Sequence, residues 1–144
     1  MRQLFLADLK ERSNEEVLEH LAMNYSGTAS ETYSKGESTE KDVAEARVLL
    51  KDKTVLIAYE SVGSWGCDSS SFFLLQDAQG KLYEIHGAHC SCYGFEGQLD
   101  LEETTLQALK FRLGNDGILF SCGGYDDECD ENHEAAKKYI FELE

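Results

Sequence analysis

The densest run of reactive side chains in this 144-residue sequence is His86-Gly87-Ala88-His89-Cys90-Ser91-Cys92. Zinc is held by four thiolate or imidazole donors in a tetrahedron at about 2.0 to 2.3 Å. Cys90 and Cys92 supply one pair of donors. Cys129 and His133, four positions apart on a predicted helix, point the same way and supply a second. Cys90, Cys92, Cys129 and His133 therefore define a candidate zinc site, and zinc is the one cofactor the residues suggest; none is required. The competing reading treats these thiols as small apolar fillers of Gly-rich turns, and it gains weight because Cys-x-Cys is a less common chelating spacing than Cys-x-x-Cys. Cys67 is the other reactive candidate, but a thiol nucleophile needs an imidazole close by. The nearest downstream histidines lie one hairpin away, so a structural role for Cys67 is the better expectation.

A second constellation is acidic. Asp126, Asp127, Glu128, Asp130, Glu131 and Glu134 place six carboxylates within nine residues and no cation among them. The run lacks the central glycine and alternating ligand spacing of a calcium loop. Some acid at the start of a helix is favoured by the helix dipole. The excess is self-repulsive unless a basic partner neutralises it. Trp65, Tyr93 and Phe95 fall in predicted loops, where aromatic side chains are typical interface anchors. Together these nine residues form the candidate partner-binding set, and none is assigned a catalytic role.

The elements that must position these groups follow from periodicity. Leu4, Phe5 and Leu9, then Val17, Leu18 and Leu21, recur at helical spacing, and Ser13-Asn14-Glu15-Glu16 has the form of a capping box. Two short helices are predicted there, then an exposed polar connection from Tyr25 to Ser38, then a helix from about Thr39 to Leu50. At Thr54 the period changes. Thr54–Tyr59, Ser71–Leu75 and Lys81–His86 read as strands, the last two joined by a short Gly-containing link and so antiparallel. Alternation puts Tyr83 and Ile85 on the core face and Leu82, Glu84 and His86 on the other. Asp100-Leu101-Glu102-Glu103 predicts the start of another helix bearing Leu106, Leu109, Phe111 and Leu113. Ile118–Cys122 suggests a fourth strand, and Asp126–Glu142 a final helix burying Ala135, Ala136, Tyr139, Ile140 and Leu143. The expected architecture is one α+β domain spanning 1–144. Residues 1–53 are helical, and 54–144 hold an antiparallel sheet of three to four strands with two helices.

Charge narrows the function classes. The formal net charge is −15, from 28 acidic against 13 basic residues, and residues 100–144 hold 12 of those acids with only 4 bases. Such a surface repels phosphate backbones and anionic lipid heads, so neither nucleic acid nor membrane is an expected direct partner. The longest apolar runs fall far short of the ~20 residues that span a bilayer. No secretory leader is recognisable, because Asp8 interrupts the first apolar stretch. A cytoplasmic protein with five reduced cysteines is the expectation.

From Gly80 the chain reads Gly-Lys-Leu-Tyr-Glu-Ile-His-Gly-Ala-His-Cys-Ser-Cys-Tyr-Gly-Phe-Glu-Gly-Gln to Gln98, followed by Glu102-Glu103-Thr104. This stretch resembles a family of small phage and prophage proteins over roughly Ala58 to Leu113. The resemblance implies a phage-encoded protein acting in a bacterial host cytoplasm, and it carries no functional residue over. Combined with the acidity, it leads to an expected function. The chain would be a phage accessory protein, for host takeover or against host defence. It would bind and inhibit a basic host protein, a nucleic-acid-handling defence or recombination factor, in the manner of a DNA mimic rather than as an enzyme. The alternative is a small zinc-binding structural or adaptor domain.

Overall fold

Residues 3–27, 40–61, 69–89, 97–120 and 129–143 are described by the computed structural model. In chain order they form β1 (Leu4–Ala7), α1 (Asn14–Tyr25), α2 (Glu40–Leu50), β2 (Thr54–Ser61), β3 (Ser69–Gln76), β4 (Leu82–His89), β5 (Glu102–Thr104), α3 (Leu106–Gly114) and α4 (Cys129–Glu142). The strands make one sheet in sequence order, with β1 parallel to β2 and the remaining neighbours antiparallel. The class is α+β, as the patterning predicts. The sheet is larger than predicted, with five strands among the described residues, and it is mixed.

Both extra strands correct a predicted helix. Leu4–Ala7 is too short for its period to separate strand from helix, and it is a strand because both of its sides are covered. Leu6 packs with α3 and α4, while Phe5 packs with α1 and α2. Left-handed backbone at Ala7 (φ 56°) and Glu11 (φ 69°) then keeps a helix from forming before Ser13. Glu102–Thr104 has the acidic pattern of a helix start, yet it pairs with β4, with Glu84 opposite Glu102. The true N-cap is Thr105, whose hydroxyl accepts the Ala108 N–H at 3.0 Å. As a short strand bearing two carboxylates, β5 also blunts the sheet edge against pairing with another chain. The predicted fourth strand is not formed over 118–120; Ser121 and Cys122 lie outside the described residues.

The predicted one-sided core is likewise corrected, because the sheet is buried on both faces. Ile57, Tyr59, Phe72, Leu74 and Leu82 meet Leu109 and Leu113 of α3 and Ala136, Tyr139 and Ile140 of α4. On the opposite face Ala58, Phe73, Leu75 and Ile85 meet Val17, Leu21 and Tyr25 of α1 and Ala46 and Leu50 of α2. The apolar sets expected of two helices, Val43, Ala46, Val48, Leu49 and Leu50 in α2 and Leu106, Leu109, Phe111 and Leu113 in α3, shrink accordingly. Val48 and Leu49 of α2 and Phe111 of α3 point outward. A bulge in β2 puts two consecutive residues on one face: Val55 opposes Leu75 and Ile57 opposes Leu74, with Leu56 inserted between them, and Leu56 and Ile57 both join the α3–α4 layer. Where β1 stops short of this bulge, side chains replace the missing strand. Asn14 Oδ1 accepts the Val55 N–H at 2.7 Å, and Gln3 Nε2 donates to the Val55 carbonyl at 2.9 Å.

Candidate functional site

Two buried carboxylates sit on opposite faces of the sheet. Glu60, near the end of β2, shares the α1-facing side with Ala58 and is only 4% exposed. A charge there is costly unless it is hydrogen-bonded, and α1 supplies the donors. The Tyr25 hydroxyl donates to Glu60 Oε1 at 2.6 Å, and His20 Nε2 lies 3.0 and 2.8 Å from Oε1 and Oε2. Asn24 Nδ2 is 3.1 Å from His20 Nδ1. Because an amide NH₂ only donates, this contact makes Nδ1 the acceptor and puts the ring proton on Nε2, facing Glu60. Burial, reinforced by the Glu60 carboxylate, pushes Tyr25 well above the ordinary phenol range, so it remains a donor. On the neighbouring strand, Ser69 and Ser71 are buried with no well-formed hydrogen bond from their hydroxyls among the described residues. Ser71, directly opposite Glu60, still lies close enough to Tyr25 to temper its rise.

Glu84, on β4, faces the α3–α4 layer. Its burial alone would raise its pKa, but hydrogen bonds from His86 and Arg112, with the Arg112 charge, bring it down to about 2. Arg112 Nη2 donates to Oε2 at 2.6 Å, and His86 Nε2 lies 3.0 Å from Oε1. Both carboxylates thus join segments distant in sequence. For Glu60 the available signal is an acidic residue in an otherwise apolar strand, and for Glu84 the face it shares with His86; the partners on the covering helices, His20, Tyr25 and Arg112, are not legible.

The acidic run reaches the described residues at α4. Asp130 stands in the first turn of this helix, Glu131 and Glu134 are exposed, and Asn132, Ala136, Tyr139 and Ile140 turn inward. The helix is described from Cys129, so the predicted start at Asp126, with Asp126, Asp127 and Glu128, lies outside the described residues. So do Trp65, Tyr93 and Phe95.

Of the zinc set, Cys90 and Cys92 lie outside the described residues, and Cys129 opens α4. His133 has a local structural use: its Nε2 accepts the Leu119 N–H at 2.9 Å, and its ring meets Phe120 edge-on at 5.2 Å. Phe120 in turn stacks on Tyr59 at 4.0 Å. A metal at Nε2 would have to displace the Leu119 bond. Among the described residues no group of three His, Cys, Asp or Glu side chains is placed to hold a metal ion. No helix among them is long and apolar enough to cross a membrane. No protein family, no curated protein and no solved structure matches this chain.

Proposed function

We propose that this chain is a phage-encoded binding protein that inhibits a basic, nucleic-acid-handling host protein by presenting carboxylates where that protein normally holds a phosphate backbone. The observation that carries the reading is the division of labour among the acids. The two buried carboxylates are engaged with His20, Tyr25, His86 and Arg112, within the fold. Glu131 and Glu134 instead project from α4 and form no ion pair among the described residues, whereas Lys138 of the same helix lies 4.0 Å from Glu142. Carboxylates one helical turn apart stand ~5 to 6 Å from one another, and each strand of duplex DNA carries a charge every ~3.4 Å of helix axis. One edge of α4, bearing Glu131 and Glu134, supplies a coarse copy of that spacing.

The experiment is capture of host proteins on immobilised protein, followed by competition with duplex DNA and a salt series. The triple variant Asp127→Asn, Asp130→Asn, Glu131→Gln keeps shape and removes three charges. The expected result is a basic partner displaced by DNA, bound more weakly as the Debye length falls below ~8 Å, and lost with the triple variant. Full affinity of the triple variant at low salt would reduce the acidic run to a solvated helix start.

A further inference from the structure

The α1–α2 layer carries a cavity that the acidic run does not involve. It holds about 260 Å³ between the end of α1, one side of α2 and the segment 97–99. Two main-chain bonds fix its wall: Leu99 N–H donates to the Tyr25 carbonyl at 3.0 Å, and Gly97 N–H to the Ser26 carbonyl at 3.4 Å. Ala46, Leu49 and Leu99 supply apolar surface, and Leu49 is nearly half exposed at the rim.

The C-terminal end of α1, Tyr25 with Ser26 and Gly27 beyond it, lines the cavity, and its Tyr25 and Ser26 carbonyls are taken up by the Leu99 and Gly97 N–H groups, so the negative field comes from side chains. Asp42 and Glu45, three apart on α2, add their carboxylates, and Glu45 is exposed and makes no ion pair among the described residues. The cavity therefore joins an apolar wall, suited to a methylene stem, to a negative field suited to its charged head.

We propose that this cavity is the anchor site for an arginine or lysine side chain of the basic partner. The proposal rests on the acidic-binding reading above for its choice of partner, but it places the anchor on α2 rather than on α4. An anchor of this kind, with the stem buried and the charge paired, is what concentrates binding energy in an otherwise diffuse electrostatic contact.

The test uses N-acetyl-arginine amide as the probe and N-acetyl-citrulline amide as its uncharged near-isostere, titrated into the isotopically labelled full chain and followed by amide chemical shifts. Saturable shifts are expected at Ala46, Leu49, Gly97 and Leu99 with the arginine probe and not with citrulline. Glu45→Gln, on the exposed rim, should weaken binding by about 3- to 10-fold, while Asp52→Asn, an exposed charge removed elsewhere, should not. Equal response to citrulline, or arginine shifts confined to α4, would overturn the proposal. Host capture separates the two ideas: loss of partner with the α4 triple variant, combined with no arginine response at α2, retains the binding function and discards this anchor. An arginine response at α2 that Glu45→Gln weakens by that factor, with host capture intact in the triple variant, retains the anchor and discards the α4 surface.

Discussion

The hydroxyl of Tyr25, at the last position of α1, donates to Glu60 Oε1 across 2.6 Å in the interior between helix and sheet. Neither side chain is accessible enough to find water in its place: Tyr25 is fully buried and Glu60 nearly so. Tyr25→Phe therefore leaves a buried carboxylate short of a donor, at a cost of about 1 to 3 kcal/mol. Glu60→Leu leaves a buried hydroxyl short of an acceptor. In the double variant Tyr25→Phe, Glu60→Leu both polar partners are gone, so its loss should be smaller than the sum of the two single losses. Urea denaturation of the four proteins measures this directly, and strict additivity would show that the bond contributes nothing specific.

The Glu84 cluster makes stability depend on pH. Folding lowers this carboxyl from its ordinary value of 4.5 to about 2, so between those values the native state binds fewer protons than the unfolded chain. The stabilisation is complete above about pH 5, is lost as pH falls toward 2, and is worth on the order of 3 kcal/mol at neutral pH. Glu84→Gln should flatten that part of the stability profile while other carboxylates keep their share. Arg112→Met should move the Glu84 titration upward and lower stability at pH 7. A profile for Glu84→Gln parallel to that of the parent over pH 2 to 5 would contradict this assignment.

Asn14 holds the bulge of β2 by accepting the Val55 N–H and the Gln3 amide, at 2.7 and 2.9 Å. Asn14→Ala should orphan a buried main-chain donor and destabilise by about 1 to 3 kcal/mol. Asn14→Asp keeps the acceptor and should retain most of the stability. Hydrogen exchange at the Val55 amide distinguishes the mechanism from simple loss of helix start, because only Asn14→Ala should accelerate it strongly.

The cysteine count of five is odd, and alkylation of the denatured protein without reductant is expected to modify five thiols by intact mass. Elemental analysis of the same preparation reads the zinc proposal. Stoichiometric zinc released as the thiols react would support the Cys90, Cys92, Cys129, His133 set, and a metal-free preparation with five reactive thiols would retire it.

Much of this protein's local structure follows from the sequence alone. Ser13 and Glu16 form the reciprocal capping box their spacing implies, at 3.1 and 3.2 Å, and α1 begins where it should. The change of period at Thr54 marks β2, and β3 and β4 form the predicted hairpin with Phe73 opposite Ile85. These features depend on bonds between near neighbours, or on an alternation the chain states directly. Tertiary structure decided the rest. Whether Leu4–Ala7 is strand or helix depends on β2, some 50 residues away, offering an open edge, and whether Glu102–Thr104 caps a helix or closes a sheet depends on β4. The pairing of α1 with α2 on one face and of α3 with α4 on the other is a long-range choice of the same kind, although the unbroken apolar runs Val55–Tyr59 and Phe72–Leu75 already mark strands buried on both faces. The same reason hid the polar chemistry. Tyr25 meets Glu60 across 35 positions and Arg112 meets Glu84 across 28. Such contacts form only after chain entropy has been overcome elsewhere, by the apolar layers that bring the segments together.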